Sequence, residues 1–151
     1  MRVCIIYDTK RRSTEHFAKW IKEAFEENSA VVDVFKVNEF NGDFSYDLFV
    51  VGSPIYYEKP LKSITDFLQK YSDKLSTKKL ALFIVCMAQI FGKAGKAYIE
   101  KQYLKALESK VENLMFKSAV FKGWIKKVNL KEKKEVFEWV NSLIEKLEGE
   151  V

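Results

Sequence analysis

The chain has 151 residues, of which 48% are hydrophobic and 15% aromatic, and it carries a formal net charge of +5. This length and hydrophobic content suffice for one domain, residues 1–151, with a single buried core. With only 6 glycines and 2 prolines, the composition excludes collagen-like and low-complexity chains. No apolar run reaches the roughly 20 residues that span a bilayer. The apolar start of the chain is typical of a first strand and not of a signal peptide, so we expect a cytoplasmic protein without a transmembrane segment.

The charged residues and the cysteines give no sign of a nucleic-acid or metal site. Basic residues are interspersed with acidic ones along amphipathic stretches, which indicates a solvated surface and not a nucleic-acid-binding patch. Cys4 and Cys86 each lie inside an apolar run at a spacing that fits no metal motif, so we expect two buried free thiols. His16, the only histidine, is expected on the surface of a helix and not in a catalytic role.

Apolar runs that alternate with amphipathic stretches set the order of the predicted elements. Strands are expected at residues 3–7, 30–37, 46–53, 80–88 and 115–123. Residues 38–45 are too few for a full helix and leave room for one turn. Helical spacing predicts a helix after the first, third, fourth and fifth strands. The core-facing residues of these helices are Phe17, Trp20, Ile21, Ala24 and Phe25; Leu61, Ile64, Leu68, Tyr71 and Leu75; Ile99, Tyr103, Leu107 and Val111; and Val136, Val140, Leu143, Ile144 and Leu147.

The alternation of strands and helices predicts the fold class. It indicates an α/β protein in which helices cover both faces of a parallel sheet. Right-handed crossovers leave few topologies, and five strands in a chain of this length suit the doubly wound order 2-1-3-4-5. The run at 80–88 is the most hydrophobic and is expected inside the sheet, whereas 115–123 alternates only partly and is expected nearer an edge.

The predicted topology also predicts where a ligand binds. In such sheets, ligands bind beyond the carboxyl ends of the strands, at the point where the strand order reverses. This rule brings together the loops after the first, third and fourth strands, which are residues 8–15, 53–60 and 87–93.

The first of these loops, within YDTKRRSTEHF, has the character of a phosphate site. It enters a helix, where free backbone N–H groups and the helix dipole favour an anion. Hydroxyl donors and cations of the loop would add to that preference: Thr9, Lys10, Arg11, Arg12, Ser13 and Thr14. The alternative is a helix N-cap formed by Ser13 or Thr14, with the cations facing water.

The other two loops offer surfaces for a planar ligand. In GSPIYYEKP, the rings of Tyr56 and Tyr57 can stack on such a ligand, or one tyrosine can cap the core while the other is exposed. In MAQIFGKAGK, backbone amides can meet a polar ring edge and Phe91 can cover an apolar face. Gly92 and Gly95 also suit a plain flexible loop.

Taken together, these segments resemble the flavodoxin-like fold, a three-layer sandwich, and more closely its branch containing menaquinone-dependent protoporphyrinogen oxidase. The resemblance covers nearly the whole chain. It lies in VCIIYDTKRRSTEHFAKWI, in KKLALFIVCMA, and most specifically in YDLFVVGSPIYYEKPLKSITDFL, with a weaker likeness in FKGWIKKVNLKEK.

The resemblance implies FMN as cofactor. The flavodoxin phosphate loop reads Ser/Thr-x-Thr-Gly-Asn-Ser/Thr, and Thr9 and Thr14 match its ends. Ser13 stands at the asparagine position, Arg11 replaces a threonine, and Arg12 replaces the glycine, where a positive φ is costly for any other residue. The implied cofactor-binding residues are Thr9, Lys10, Arg11, Arg12, Ser13, Thr14, Ser53, Pro54, Ile55, Tyr56, Tyr57, Met87, Ala88, Gln89 and Phe91.

Three functions remain open from the sequence. The leading one is an FMN-dependent oxidoreductase that exchanges electrons with a quinone, a porphyrinogen or a similar acceptor. The others are a flavodoxin-type electron carrier for redox proteins, and a flavin-free interaction module, which the change from glycine to Arg12 favours. The resembled branch also includes proteins that pair as homodimers. The loops show no obvious general acid or base, Glu58 being interpreted as solvated, so the flavin would carry the redox chemistry.

Overall fold

A parallel sheet forms the middle layer of the protein, which is described by a computed structural model over residues 1–87, 93–112, 114–124 and 128–149. Its strands are β1 (Arg2–Tyr7), β2 (Val31–Lys36), β3 (Leu48–Tyr56), β5 (Lys79–Met87) and β6 (Ala119–Gly123), and the short β4 (Lys59–Pro60) pairs antiparallel with β3. The strand order is β2-β1-β3-β5-β6. Apart from the inserted β4, this is the predicted doubly wound order, which is therefore confirmed.

The helices lie on both faces of the sheet. They are α1 (Ser13–Glu27), α2 (Lys62–Lys70), α3 (Ser72–Leu75), α4 (Lys93–Tyr98), α5 (Lys105–Glu108) and α6 (Lys131–Gly149), with a π-helical segment (Ile99–Leu104) joining α4 to α5 and a single 3-10 turn (Val37–Glu39) after β2. The predicted helix over 61–75 is interrupted at Tyr71, which separates α2 from α3. None of the helices in the described ranges combines the length and low charge needed to cross a bilayer.

Two hydrophobic cores lie on opposite faces of the sheet, and not the single core expected from the length of the chain, because successive strand residues point to opposite sides. Val3, Ile5 and Tyr7 of β1 belong to the core under α1 and α6. Cys4 and Ile6 belong to the core under α2, α3 and the segment 93–108. Every core-facing helical residue predicted from the sequence is buried or half-buried, so the predicted helix faces are confirmed.

Both cysteines are buried and free, as expected from the apolar runs that contain them. Burial raises the pKa of each thiol to about 12, and the nearby Asp33 carboxylate adds to the effect at Cys4. A protonated, buried thiol is a weak nucleophile and a weak metal ligand. These cysteines therefore act as small core residues.

Strand β3 is longer than predicted, because the Gly-Ser-Pro sequence does not end it. The pairing of β1 with β3 stops at Gly52, whereas β3 continues beside β5 through Pro54. Beyond Gly52 one side of β3 therefore has no β1 neighbour, and at such an edge the missing N–H of proline is tolerated. Gly52 itself packs against the ring of Phe83, since an added Cβ would lie only 2.0 Å from that ring.

Strand β6 is shorter than the predicted 115–123 and lies at the edge of the sheet, as expected. Side chains of α6 donate hydrogen bonds to the carbonyl groups that precede β6. Trp139 Nε1 donates to the Lys117 carbonyl at 2.9 Å, and Lys146 donates to the Met115 carbonyl. Those carbonyls are thus satisfied by the helix and not by sheet pairing. The hydrophobic run at 79–87 forms β5, between β3 and β6, which confirms its predicted interior place.

Candidate cofactor site

A cavity of about 280 Å³ opens at the carboxyl ends of β1, β3 and β5. Its lining residues come from the loop after β1, from the end of β3 and from β5: Lys10, Arg11, Ser13, Thr14, Pro54, Ile55, Tyr56, Tyr57, Val85 and Met87. The structure therefore brings most of the sequence-predicted residues to one place, where the strand order reverses.

The remaining predicted residues do not line this cavity or are not described. Thr9, Arg12 and Ser53 are not among the lining residues. Arg12 is exposed on the loop, whereas the hydroxyls of Thr9 and Ser53 accept hydrogen bonds from backbone N–H groups. Ser53 Oγ accepts a hydrogen bond from the Leu61 N–H at 2.8 Å, which ties β3 to the start of α2. Ala88, Gln89 and Phe91 fall outside the described residues.

The loop after β1 is held in shape by a chain of hydrogen bonds from α2. Ser63 Oγ donates to Asp8 Oδ2 at 2.5 Å, and Asp8 Oδ1 accepts the Thr9 N–H at 2.8 Å. Thr9 Oγ1 in turn accepts the Arg12 N–H at 2.9 Å. The hydroxyl of Thr9 thus fixes the last residue before α1.

Arg12 adopts the left-handed conformation that its place in the loop requires. Its φ is 66° and its ψ is −17°, and it is the N-cap residue of α1 without a capping side chain. The alternative that Ser13 or Thr14 caps the helix is therefore wrong, because both residues already belong to the first turn. Their N–H groups are among those that lack intrahelical acceptors, so they face the end of the helix where an anion is favoured.

Thr14 is the most informative residue of the cavity wall. Its side chain is 1% exposed, and its Oγ1 is the only buried side-chain polar atom in the described part of the chain that has no hydrogen-bond partner. A buried hydroxyl without a partner is costly, and in native proteins such a group calls for an explanation. A ligand oxygen in the cavity would supply the missing partner.

The far wall of the cavity is a tight hairpin with two tyrosines. Tyr57 and Glu58 form the two-residue turn between β3 and β4, with φ values of 49° and 62°, the signs that a type I′ turn requires. The Tyr56 and Tyr57 rings lie 4.6 Å apart at 76°. Lys10 Nζ lies 5.8 Å from the centre of the Tyr56 ring, so the first loop reaches across the cavity to the hairpin.

Glu58 and His16 are not among the described residues that line the cavity. Glu58 is exposed in the turn, as expected, and its Oε1 accepts a long 3.5 Å hydrogen bond from Tyr103. Burial, reinforced by the Glu58 carboxylate, raises the pKa of Tyr103 to about 12. His16 is half-buried on α1 beside Trp124 and Trp20, at ring distances of 5.6 and 6.3 Å, so it is less exposed than its predicted surface position implies.

Two residues of the site were missed by the sequence analysis. Val85 lines the cavity from within β5. Gly123 ends β6 so close to the first loop that an added Cβ would lie 2.8 Å from Val85 Cγ1 and 3.0 Å from Ser13 Oγ. A glycine at the end of a strand is the available signal, since it often marks close backbone approach.

The sequence of the chain, taken over nearly its whole length, matches a known family. The sequence model described as flavodoxin domain matches residues 4–146. The chain belongs to the flavodoxin domain family. An uncharacterized protein of Methanocaldococcus jannaschii is 30% identical over 119 residues, which are 77% of this chain and 69% of that protein.

Solved structures of other proteins share the fold of this chain. Rubredoxin oxygen:oxidoreductase of Desulfovibrio gigas aligns with a TM-score of 0.73 at 15% identity, over 98% of this chain and 36% of that chain, so this chain spans about a third of that protein. A flavodoxin from the domain Archaea gives 0.66 at 19% identity over 98% and 99% of the two chains. The flavodoxin of Megasphaera elsdenii gives 0.63 at 23% identity over 93% and 98%.

FMN is the cofactor of the flavodoxin family, and the residues of the cavity fit it. The unpartnered Thr14 hydroxyl and the start of α1 suit a phosphate. Lys10 and Arg11 bring positive charge to the same wall, and the tyrosine hairpin offers a planar surface opposite. Arg12, in place of the family's glycine, still has the positive φ of that position.

Proposed function

We propose that this protein binds FMN in the cavity at the carboxyl ends of β1, β3 and β5 and serves in electron transfer. The observation that carries the proposal is the Thr14 hydroxyl, buried and unpartnered at the start of α1. When bound, FMN supplies the redox chemistry, and the protein binds, orients and shields it.

The proposed roles follow from the positions of the residues. The hydroxyls of Ser13 and Thr14 and the first-turn N–H groups hold the phosphate, while Lys10 and Arg11 offset its charge. Thr9 and Arg12 shape the loop. Ser53, Pro54, Ile55, Tyr56 and Tyr57 would line one side of the flavin ring. Met87, Ala88, Gln89 and Phe91 would approach its other edge.

FMN titration of the purified protein tests this proposal directly. We expect one FMN to bind per chain, with a visible flavin absorption band that remains with the protein through gel filtration. Riboflavin, which lacks the phosphate, is the matched control and should bind more weakly if Thr14 and the helix start hold that group. Failure of excess FMN to bind would contradict the proposal.

A second candidate is enzymatic reduction of a quinone or oxidation of a porphyrinogen by the bound flavin. The feature that favours it is Tyr57, whose ring is 84% exposed at the mouth of the cavity, where a planar substrate could stack. Steady-state turnover with quinones and a porphyrinogen would separate this activity from electron transfer to redox proteins. Arg12 adopts a positive φ, which glycine would adopt more easily, so the change from glycine does not by itself favour a flavin-free module.

A further inference from the structure

The rim of the cavity is strongly basic on both sides. Lys10, Arg11 and Arg12 are exposed on the loop after β1, and Lys59 is exposed on the facing hairpin. Lys59 pairs with Tyr56 across the hairpin, so the two side chains project from the same face of the two strands. Lys10 approaches that same Tyr56 ring from the other side of the cavity. We name these four residues the basic rim.

Three carboxylates lie near the basic rim in the described part of the chain, and none of them forms an ion pair with it. Asp8 and Glu15 are half-buried, and each accepts a hydrogen bond within the protein, from Ser63 and from Tyr7 respectively. Glu58 is the one exposed carboxylate in the described part of the hairpin. Within the described residues, no ion pair involves a member of the basic rim.

Basic residues elsewhere on the described surface are often compensated by acidic neighbours. Lys22 lies 3.3 Å from Glu26, Lys133 lies 3.4 Å from Glu23, and Lys134 lies 3.8 Å from Glu138. The basic rim differs from these helix faces because its cations are concentrated around one opening. A cluster of one sign around an opening attracts partners of the opposite charge.

An exposed aromatic residue lies within the basic rim. Tyr57 is 84% exposed at the tip of the hairpin, between Tyr56 and Lys59 in sequence. Tyrosine and arginine are the residues most enriched at the energetic centres of protein interfaces. The patch thus pairs an apolar contact with surrounding positive charge.

We propose that the basic rim docks an acidic redox protein against the open side of the cofactor cavity. This inference rests on the proposed FMN function, because it names the partner of that same site. The binding step depends on the surface residues of the protein and is measured separately from electron transfer. Complementary charge orients the partner as it arrives, so that its redox centre faces the cavity mouth. A protein partner is favoured over a nucleic acid because the patch is compact and surrounds a single opening, whereas a nucleic acid backbone calls for an extended stripe of cations.

The binding experiment uses an oxidised plant-type 2Fe–2S ferredoxin as the acidic probe, titrated into the full chain by calorimetry. We expect binding at low salt to weaken about tenfold or more when salt is raised to a few hundred millimolar. Lys59→Glu should weaken binding at low salt by at least about fivefold. Lys78→Glu makes the same change in charge on an exposed lysine just before β5, at the opposite edge of the sheet, and should change binding less than twofold.

Three results would overturn the inference. One is ferredoxin binding that is insensitive to salt and to Lys59→Glu. Another is tighter binding of a basic c-type cytochrome than of ferredoxin under the same conditions. The third is tighter binding of a 20-base-pair DNA duplex that is lost in Lys59→Glu, which would assign the basic rim to nucleic acid.

Electron transfer separates the inference from the proposed function. When reduced ferredoxin is mixed with the FMN-loaded protein, the iron–sulfur cluster loses one electron and is oxidised, and the flavin gains it and is reduced. The rate should fall with salt and in Lys59→Glu, but not in Lys78→Glu. Failure of FMN to bind would contradict the proposed function, and the calorimetric titration with ferredoxin would still test the docking. Electron transfer at a rate that does not depend on salt would contradict the docking only.

Discussion

At the residue scale, Thr14 lowers the stability of the folded protein at the place where the cofactor is proposed to bind. A buried hydroxyl without a partner costs about 1–3 kcal/mol relative to a satisfied one, and Thr14 carries such a group at the first turn of α1. A core built only for stability would carry valine there. The Thr14 hydroxyl is therefore expected to lower folding stability and to favour FMN binding. One substitution can test both effects.

Thr14→Val should change stability and FMN affinity in opposite directions. Removing the unpartnered hydroxyl while keeping the shape should raise the free energy of unfolding of the FMN-free protein by about 1 kcal/mol. Loss of a hydrogen bond to a charged phosphate should weaken FMN binding about tenfold. Urea unfolding and calorimetric titration measure the two quantities.

The matched control for Thr14 is Thr77→Val. Thr77 is exposed after α3, and its Oγ1 donates to the Lys74 carbonyl at 2.8 Å, far along the chain from the proposed phosphate contacts. FMN affinity should be unchanged by this substitution. Parallel losses of stability and affinity in Thr14→Val would show that the hydroxyl has a structural role only.

Arg12→Gly should likewise stabilise the protein and weaken FMN binding. A left-handed φ costs a residue with a Cβ roughly 1–2 kcal/mol, so glycine should raise the free energy of unfolding by about 1 kcal/mol. Glycine can adopt the same φ as Arg12, so the substitution should affect FMN through the loss of positive charge. We expect a loss of roughly 0.3–1 kcal/mol in binding, as for a charge near a helix end.

Ser29→Gly provides the comparison for Arg12. Ser29 has a φ of 65° just after α1, at the opposite end of the helix, so glycine should give a similar gain in stability with no change in FMN affinity. Tighter FMN binding by Arg12→Gly would mean that backbone freedom, and not charge, limits the site.

At the element scale, the hairpin between β3 and β4 is the part of the site that could not be predicted from the sequence. A type I′ turn usually carries Asn-Gly or a similar pair, because both residues need a positive φ. Here the turn is Tyr57-Glu58, with neither glycine nor asparagine. The sequence therefore predicts a loop here, and the structure shows a hairpin whose two tyrosines line the cavity.

Tyr57→Ala tests whether this hairpin holds the flavin. Because Tyr57 is exposed in the free protein, its truncation should change the free energy of unfolding by less than about 0.5 kcal/mol. If the ring stacks on FMN, binding should weaken by about 1 kcal/mol, roughly fivefold. Tyr56→Ala is the companion variant, and unchanged FMN affinity in both variants would remove the hairpin from the binding site.

Most elements were predictable because burial imposes a visible period on the sequence. The face of α1 that carries Phe17, Ile21 and Phe25 is fully buried, and its spacing could be read directly. Element ends were less predictable because they depend on contacts between distant segments. β6 begins later than predicted because Trp139 donates a hydrogen bond to the Lys117 carbonyl. No local sequence pattern indicates that hydrogen bond.

At the scale of the whole molecule, the position of the site follows from the point where the strand order reverses. Which residues line it depends on the register of strand pairing. The loops after the first and third strands were expected to meet, and their residues do line one cavity. Val85 and Gly123 were not foreseen, because their approach to Ser13 depends on how β5 and β6 are aligned. The break between α2 and α3 at Tyr71 has no local sequence signal that we recognise.

Stability should be constant near neutral pH and fall in alkali. Burial raises the pKa of Cys4 and Cys86 from 9.0 to about 12 in the folded protein, so below pH 9 both thiols are protonated in the folded and unfolded states. Between pH 9 and 12 only the unfolded state loses these protons, which favours unfolding by up to about 1.4 kcal/mol per pH unit for each thiol. Urea unfolding at a series of pH values measures this slope.

Cys86→Ala identifies the source of the slope. The substitution lowers stability at every pH by removing a buried side chain, but it should also make the alkaline decline shallower by one thiol's share. An unchanged slope would assign the decline to other groups; Tyr7 is one such group, since burial and its bond to Glu15 raise its pKa to about 12.

The aromatic cluster beside the first turn of α1 gives the protein a built-in fluorescent reporter. Trp20 and Trp124 lie 5.5 Å apart, and His16 and Phe17 pack against them. His16 is only two positions along α1 from Thr14. Trp139 contacts Phe83 and Phe121 and has no ring contact with Trp20 or Trp124 in the described residues, and replacing it with phenylalanine would leave emission from those two tryptophans alone. Quenching of that emission would then follow cofactor uptake and release in real time without any attached dye.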